Sequence, residues 1–353
     1  MTTAVTVCVP VFNAAVFLAE TLDSIAAQSF DDIKVLISLD RGDDDSESIC
    51  RRYLHDRRFE LIVQRERLGW VGNVNALIER VDTPYFCITP HDDLLAPQYL
   101  AEVYALAASD PAIACAYSDV QGFGTDRPYF AQSDIRGTLI ERVIDFLLNH
   151  FAVVPFRGVI RRRSADDRPY IPTGLRHDFA ADTVWMLHIA LRGELRRVPS
   201  MLYSKRYHEA SVHAPWRRWP REELIMLWAE QAAACVRIAL DHIGDSRDRE
   251  VVLAAALMRV AGLGNSRVYA TPKEPFEIAA ATAIFCDALG DASSLRDVQS
   301  VLAYPNARCL RDAIERSVSH DSADSPPSLA PRIRRRLGNL LASMTRSRQF
   351  GAR

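Results

Sequence analysis

Short apolar runs alternate with amphipathic stretches along the first half of the chain. Runs of strand length, each bounded by polar or turn-forming residues, occupy positions 5–9, 34–39, 59–63, 85–88 and 112–117. Between them, apolar side chains recur at helical spacing, as at Val16, Phe17, Leu22 and Ile25, and again over 71–81 from near Gly69. Strands that alternate with helices in this way predict βαβ units and an α/β fold with a mainly parallel sheet.

The pattern becomes helical in the second half. A helix is predicted over 139–148, an extended segment over 153–160 and another helix over 183–191. Beyond Pro220 strand signals nearly vanish, and helical spacing recurs over 222–242, 249–261, 275–289 and 310–318. We therefore expect an α/β domain over 1–220, a helical region over 221–321, and a linker with a basic tail over 322–353.

The tail has two interpretations, and both stay open. Residues 322–331 are rich in Ser, Pro and Asp, which is typical of a linker. From Arg332 onward the chain has many arginines, no acid, and apolar side chains at Ile333, Leu337, Leu340, Leu341 and Met344. This pattern predicts either a basic amphipathic helix in peripheral contact with an anionic membrane surface or a frayed, solvated terminus.

Composition and charge remove several classes of protein. Of the 353 residues, 48% are hydrophobic and 25% charged, as in a globular protein with a substantial core. The net charge of -2 gives no reason to expect a nucleic-acid partner. Seven scattered cysteines without a C-x-x-C pair favour a reducing cytoplasm over a disulfide scaffold or a zinc site. We see neither a signal peptide nor an apolar run long enough to span a bilayer, so the expected localisation is cytoplasmic.

Two adjacent carboxylates follow the fourth apolar run. Asp92 and Asp93 come just after the strand predicted over 85–88 and before a helix that begins near Pro97. In an α/β sheet the ligand crevice lies beyond the carboxyl ends of the strands. Carboxylate oxygens at that place suit Mg²⁺ or Mn²⁺ held against phosphates. The alternative is a solvated turn with a helix N-cap, where Asp is also favoured.

Four motifs in order make a specific resemblance. They are residues 5–13 (VTVCVPVFN), 40–45 (DRGDDD), 68–75 (LGWVGNVN), and the strand that ends in Asp92 and Asp93. A helix containing Leu22, Ser24, Ile25 and Gln28 follows the first motif. Together they resemble the opening half of family 2 glycosyltransferases, which are inverting enzymes with the GT-A fold. The resemblance continues more loosely to about His213.

The resemblance implies a nucleotide-sugar site. Asp40, at the end of the second strand, would accept a hydrogen bond from a base N–H; otherwise it is an ordinary turn acid. Asp92 would coordinate a divalent metal ion, Mn²⁺ or Mg²⁺, that bridges the diphosphate. Asp93 would orient the loop or the ribose, or cap the next helix. The other residues implied in nucleotide-sugar binding are Pro10, Phe12, Asn13, Asn75, His91 and Arg206.

The chain departs from the family at the metal motif. Where the family has an Asp two residues before the metal-binding Asp, this chain has Pro90. One strong carboxylate is still compatible with metal binding, because diphosphate and water oxygens complete the octahedron. His208, in a segment that matches the family's Arg-x-His motif with Arg206, is the second candidate metal or phosphate ligand. Its alternative role is packing.

A general base is also needed to take the acceptor proton. The family places it on a Glu-Asp pair that opens a helix, and Asp182 aligns with that Asp while Ala181 replaces the Glu. The alternative for Asp182 is a helix N-cap, and Asp178 is the second candidate base. Trp216 and Trp219 flank two arginines. The arginines would clamp the diphosphate and the tryptophans would stack on a sugar face, or the segment is an aromatic hinge that packs the helical region onto the sheet.

These features predict a metal-assisted, inverting glycosyltransferase that uses a nucleotide-diphosphate sugar, with a UDP-linked donor expected. A single addition is expected, because the Gln-x-x-Arg-Trp pattern of processive synthases is absent from the sequence. The acceptor is a glycan, a lipid-linked compound or a small molecule. One alternative is a catalytically inactive nucleotide-sugar-binding or scaffolding protein. Another is a nucleotidyltransferase, which would need a Gly-rich, basic loop where residues 10–15 have none.

Overall fold

The structure, a computed structural model, describes residues 3–149, 153–211, 215–262, 270–290 and 292–303. Contacts divide the chain into two units. The first consists of Met1–Arg142, Ala152–Gly174 and Ala180–Ala214, and the second of Val143–Phe151, Leu175–Phe179 and Pro215–Arg353. The domain boundaries predicted from the sequence, at 220/221 and 321/322, stay predictions.

One sheet organises the first unit. Its strands are β1 Val5–Val11, β2 Ile33–Leu39, β3 Phe59–Val63, β4 Tyr85–Ile88, β5 Leu94–Leu95, β6 Ile113–Gly124, β7 Tyr129–Phe130, β8 Val159–Arg161 and β9 Glu194–Tyr207. Within the described residues the order is β3-β2-β1-β4-β8-β6-β9-β5, and β7 pairs with β6. The strands β1 and β2 are almost wholly buried, as their continuous apolar sequences predict.

The sheet changes character along its width. The pairs β3-β2, β2-β1 and β1-β4 are parallel, as predicted for βαβ units. Beyond β4, the strand β8 is antiparallel to both of its neighbours, while β6 and β9 are parallel to each other. The predicted α/β fold class is confirmed, with a sheet that is mixed overall and parallel in the half formed by the first four long strands.

Helices flank this sheet. They are α1 Leu18–Ala26, α2 Ser46–Arg52, α3 Gly69–Glu79, α4 Tyr99–Ser109 and α6 Ala181–Arg192, while α5 Leu139–Asn149 is divided between the two units. In α1 the side chains of Leu18, Leu22 and Ile25 are fully buried, and each such burial stabilises the fold by roughly 1.5–3 kcal/mol. Val16 was assigned to the same stripe, but it is 79% exposed. The reason is that a turn on the Ala14 carbonyl precedes the helix.

The predicted extended segment over 153–160 is wrong in its first part. Val154–Arg157 forms a 3₁₀ turn, and only Val159–Arg161 is a strand. Val153 has a left-handed backbone, with φ 45°, and Pro155 has no N–H to pair with a neighbouring strand. A Cβ at Gly158 would lie 2.4 Å from the Ala116 carbonyl oxygen, so the chain passes very close to β6 here.

The described part of the second unit is helical, as predicted beyond Pro220. Besides residues of α5, it contains α7 Arg221–Leu240, α8 Ser246–Val260, α9 Pro275–Leu289 and α10 Ala292–Ala303. Asp245 caps α8 by accepting from the Arg247 and Asp248 N–H groups. In the described residues we find no helix long and apolar enough to cross a membrane. The helix predicted over 310–318, the linker over 322–331 and the tail from Arg332 lie outside the described residues.

Candidate active site

The candidate site is built at the carboxyl ends of the strands. Asp40 follows β2, Asp92 follows β4, and His208 comes directly after β9. Asp182 lies in the first turn of α6. All four belong to the first unit. This is the edge of an α/β sheet at which ligands bind.

The two predicted metal ligands lie together. The Nε2 of His208 is 2.8 Å from Oδ2 of Asp92, and both side chains are mostly buried. The imidazole packs against the Phe17 ring at 4.8 Å between centroids. The backbone N–H of His208 donates to Oγ of Ser211. Together they present one carboxylate and one imidazole to a common point.

Asp93 has a different role from Asp92. It is 2% exposed, and its carboxylate accepts from the Tyr203 hydroxyl at 2.9 Å, the Arg206 N–H at 2.9 Å and Nε of Arg157 at 3.2 Å. Burial raises the pKa of Asp93, and the positive charge of Arg157 opposes that shift. Asp93 thus ties the end of β4 to β9. The expected helix cap is wrong, because the N-cap residue of α4 is Gln98 and has no side-chain cap.

Arg206 is held by the protein on several sides. Its Nε donates to the Asp92 carbonyl at 3.0 Å, and its Nη2 lies 2.7 Å from a Glu20 carboxylate oxygen. The guanidinium lies between the rings of Phe17 and Phe123, at 4.5 and 4.4 Å from their centroids. The structure therefore gives Arg206 a positioning role at the Asp92 backbone. Its contact with the donor stays a prediction.

Asp40 is buried, with 1% of its surface exposed. Its carboxylate accepts from the N–H groups of Leu68 at 2.8 Å, Gly69 at 2.9 Å and Arg41 at 3.0 Å. It therefore holds the start of α3, whose first residue, Gly69, has φ 70°. A carboxylate has about four acceptor positions, and these three backbone donors leave one of them unused. The base-reading role of Asp40 stays a prediction.

The last residues of β1 and the two residues after it are tied to the segments that contain Asp43 and His91. The Pro10 carbonyl lies 3.1 Å from Nδ1 of His91. Asn13, with φ 44°, donates to the Asp43 carboxylate and accepts from the Asp43 N–H. The guanidinium of Arg67 covers the Phe12 ring at 4.1 Å. The structure thus joins the predicted Pro10–Asn13 and His91 segments, while their contacts with a nucleotide stay predictions.

Asn75 is engaged with the backbone of Ile171. It donates to the Ile171 carbonyl at 2.9 Å and accepts from the Ile171 N–H at 2.8 Å. Its nucleotide contact stays a prediction. Asn73, which sequence reasoning did not single out, is 2% exposed and donates to the carbonyls of Val11 and Ser38. Its position in the amphipathic pattern of α3 carries no special signal, so only the structure reveals this link between β1 and β2.

Asp182 combines burial with nearby positive charge. It accepts from the Thr183 N–H at 2.8 Å. Burial raises the pKa of Asp182, and the Thr183 hydrogen bond, Arg157 and Lys205 oppose the shift. The N-cap residue of α6 is Ala180, so the alternative of Asp182 as N-cap is wrong. Asp178, the second candidate base, belongs to the second unit, and burial raises its pKa as well.

Two cations in the site were missed by sequence reasoning. Arg157 lies in the 3₁₀ turn before β8, and Lys205 lies in β9. Loss of hydration and the neighbouring Arg157 lower the pKa of Lys205 to about 8, against the pull of Asp93, Asp182 and Asp92. Lys205 directly precedes the Arg-x-His segment, and this position is the one feature of the sequence from which its place in the site could have been predicted. Arg157 depends on a turn that was predicted as extended chain.

The described residues test whether a metal ion fits. No cluster of three or more His, Cys, Asp or Glu side chains is placed to hold one in the part of the chain that the structure describes. Asp92 and His208 supply two ligands of kinds that Mn²⁺ accepts. A site with two protein ligands fits an ion whose remaining positions are filled by phosphate and water oxygens.

The tryptophans of the 216–219 segment form an aromatic cluster in the second unit. Phe179 packs against Trp216 at 4.6 Å, Trp219 at 6.1 Å and Trp228 at 4.9 Å between ring centroids. His177 lies 5.5 Å from Trp219. Packing within the unit is therefore one role of these rings. Their predicted stacking on a sugar stays a prediction.

Comparison with known sequences finds similarity to glycosyltransferases in the first half of the chain. Residues 6–168 match the family model described as glycosyl transferase family 2. The putative glycosyltransferase EpsH of Bacillus subtilis is 27% identical over 210 residues, which is 59% of this chain and 56% of EpsH. The glycosyltransferase GlyA of Streptococcus pneumoniae is 27% identical over 100 residues, which is 28% of this chain and 14% of GlyA. The chain thus spans little more than half of EpsH and a small part of GlyA.

Solved structures share the fold at low sequence identity. Residues 1–349 of TarS from S. aureus, solved in complex with UDP-GlcNAc, have a TM-score of 0.63 and 16% identity, covering 96% of this chain and 92% of that one. The mannosyltransferase PcManGT from Pyrobaculum calidifontis, in complex with GDP-Man and Mn²⁺, has a TM-score of 0.52 and 18% identity, covering 90% and 88%. The GT-A fold expected from the sequence is thereby confirmed.

Proposed function

Because residues 6–168 match the family model of glycosyl transferase family 2, we propose that this protein transfers one sugar from a UDP-linked donor to an acceptor with inversion of configuration. The observation that carries the proposal is the contact between Asp92 and His208 at the carboxyl edge of the sheet. It lies where the family's motifs predict the diphosphate and its metal ion. The nucleotide sugars bound to TarS and PcManGT support a donor of this class.

In this proposal Asp92 and His208 would hold the divalent ion, Mn²⁺ or Mg²⁺. When bound, the ion neutralises charge on the departing nucleoside diphosphate. Asp40 accepts from the base, and Pro10, Phe12 and Asn13 line the base and ribose. Asp93 and Arg206 keep the Asp92 backbone in place. This arrangement assigns donor binding to the edge formed by β1, β2, β4 and β9.

Asp182 is the proposed general base. The acceptor oxygen attacks the anomeric carbon and forms the new bond, while the bond from that carbon to the phosphate oxygen breaks. The acceptor proton passes to Asp182, and the electron pair leaves with the nucleoside diphosphate. A carboxylate whose pKa is raised by burial is a better proton acceptor than an ordinary aspartate. The acceptor is a glycan, a lipid-linked compound or a small molecule.

A second candidate function is binding without catalysis. Pro90 and Ala181 stand where the family has acidic residues, and an inactive nucleotide-sugar-binding protein would tolerate both changes.

The proposed localisation is cytoplasmic. Peripheral membrane contact through the tail from Arg332 is also part of the proposal. It would be tested by comparing liposome co-sedimentation of the full chain with that of a chain ending at Pro331.

The enzyme proposal is tested by donor hydrolysis and transfer. The full chain is incubated with a panel of UDP- and GDP-sugars and Mn²⁺, and nucleoside diphosphate release is measured. Release from a UDP-sugar in the wild-type protein, lost in Asp92→Ala, supports the proposal. Tight nucleotide binding with no release or transfer on any acceptor would favour the binding protein. Absence of any nucleotide binding would overturn both.

A further inference from the structure

Two cationic side chains in the candidate site have no assigned task in the chemistry above. Arg157 and Lys205 come from different elements, the 3₁₀ turn before β8 and the strand β9. Both act electrostatically on Asp93 and Asp182, and Lys205 also acts on Asp92. The geometry places both beside Asp93, which follows the candidate metal ligand: Nε of Arg157 lies 3.2 Å from the Asp93 carboxylate, and Lys205 directly precedes Arg206, whose backbone N–H donates to Asp93.

The side chain of Arg157 is fixed by contacts with the protein, but within the residues that the structure describes only one of its guanidinium nitrogens donates a hydrogen bond. Its side chain is 13% exposed, its Nε donates to Asp93, and its carbonyl accepts from the Tyr99 hydroxyl. The guanidinium lies 5.6 Å from the centroid of the Tyr203 ring. In the described part of the chain, neither terminal amino group of Arg157 has a hydrogen-bond acceptor. Four of the five guanidinium N–H donors thus remain for another group.

Lys205 is also uncommitted. Its backbone pairs with Gly122 in the register of β6 and β9, and its Nζ lies 4.8 Å from the centroid of the Tyr207 ring. Among the described residues it forms no salt bridge, although three carboxylates influence it. By contrast, the charge of Arg206 is paired with Glu20 at 2.7 Å. Arg157 is also ion-paired, through its Nε and Asp93, but its two terminal amino groups and the ammonium of Lys205, unpaired in the part of the chain described, remain available to a ligand.

The chemistry of the ligand follows from the donors. A planar guanidinium with free amino groups matches the oxygens of a phosphate, and an ammonium adds a compact positive charge. The reaction proposed above places a phosphate between the metal ligand and the base, because the transferred sugar is bonded to it. The chain also has Pro90 where the family has an acidic residue of the metal motif. With one carboxylate fewer to hold a metal ion, cationic side chains would neutralise a larger part of the phosphate charge.

Resting on the proposed function, we propose that Arg157 and Lys205 bind the sugar-linked phosphate of the donor. As the bond between the anomeric carbon and the phosphate oxygen breaks, the electron pair moves onto that phosphate. The two side chains then face a greater negative charge than in the bound donor. Fixed donors of this kind stabilise the transition state more than the ground state. The phosphate source is the donor diphosphate rather than a phosphate on the acceptor.

The test compares neutral and charge-preserving variants. Binding of UDP, UMP and uridine to the full chain is measured by calorimetry for wild type, Lys205→Met and Lys205→Arg, with and without Mn²⁺. Lys205→Met should weaken UDP binding by about tenfold or more, as expected for a lost bond to a charged group. UMP binding should change less and uridine binding not at all. Lys205→Arg should stay within a few-fold of wild type.

A matched control separates a local effect from a general one. Lys273→Met makes the same substitution at an exposed position of the second unit, and it should bind UDP as the wild type does. Arg157→Lys provides a second variant, which keeps the charge but loses the fork, and it should also weaken UDP binding. Thermal melts confirm that each variant is folded.

The outcomes distinguish this inference from the function on which it rests. If wild-type protein binds UDP and both Lys205→Met and Arg157→Lys bind it equally well, the inference is overturned while the proposed function stands. A raised KM for a phosphorylated acceptor with unchanged UDP affinity would assign the cations to the acceptor and also overturn it. If wild-type protein binds neither UDP nor GDP, the proposed function itself fails.

Discussion

The carboxylate of Asp92 meets the imidazole of His208 at 2.8 Å, although 116 positions separate them in the sequence. The contact joins the end of β4 to the end of β9, and it brings together a carboxylate and an imidazole, the two side chains proposed to ligate a metal ion. A metal ion there must replace the hydrogen bond between them, because a ligating imidazole nitrogen carries no proton.

Asp92→Ala should abolish sugar transfer, because it removes the one carboxylate at this point. His208→Gln should retain nucleotide binding but need a higher Mn²⁺ concentration for half-maximal activity. Activity is measured as nucleoside diphosphate release over a Mn²⁺ titration. Full wild-type activity in EDTA, with unchanged nucleotide affinity, would contradict the metal assignment.

Asp40→Ala should have two effects that can be measured separately. Loss of a hydrogen bond from the base should weaken UDP binding by roughly 1.5–3 kcal/mol. Loss of the acceptor for the Leu68 and Gly69 N–H groups should also lower the free energy of unfolding, by about 1–3 kcal/mol. Calorimetry and urea unfolding report the two quantities. A folded variant with wild-type UDP affinity would leave Asp40 as a structural residue only.

Asp182→Asn should lower kcat by about 10²–10⁴-fold and leave donor affinity unchanged, as expected for a general base. Because the pKa of Asp182 is raised, its carboxylate is protonated at low pH. The rate of the wild-type protein should therefore rise with pH, with a midpoint above the ordinary aspartate value of about 3.9. This limb should vanish in Asp182→Asn. Near wild-type turnover in Asp182→Asn, together with an inactive Asp178→Asn, would move the base to Asp178.

The charge of Lys205 should make UDP binding sensitive to alkaline pH. Its pKa is lowered to about 8, so the positive charge is present below that pH and is lost as the pH rises through it. UDP affinity of the wild-type protein should fall several-fold between about pH 7 and 9, while Lys205→Arg should bind equally at both, because a guanidinium stays protonated. Parallel pH dependence in the two proteins would exclude Lys205 as the cause.

The parts of the molecule that local pattern controls could be predicted from the sequence. Continuous apolar runs predicted β1, β2 and β4 because these strands are buried on both faces, whereas β3 at the edge of the sheet is partly exposed. The resemblance implied that Asp92 and His208 both ligate a metal ion, and the structure brings the two side chains to 2.8 Å from each other. Such features depend on short segments whose neighbours in the fold are set by the βαβ connections.

What could not be predicted depends on irregular backbone. Arg157 reaches Asp93 only because Val153 is left-handed and Val154–Arg157 turns before β8. No periodicity in the sequence signals such a turn. The structural role of Asp93 could not be predicted either, because its three hydrogen-bond donors belong to residues 157, 203 and 206, which are distant in the sequence. A carboxylate next to a metal motif gives no sign of whether it faces the ligand or the core.

The three hydrogen bonds to Asp93 mean that the loop of the candidate site becomes ordered when the protein folds, before the donor binds. They fasten the residue next to Asp92 to two other elements of the first unit before any substrate is present. The entropy of arranging this loop is therefore lost during folding rather than during donor binding. Binding energy from the nucleotide is then free for orienting the sugar, and a weakened Asp93 network would move that entropic cost from the folding reaction into the catalytic cycle.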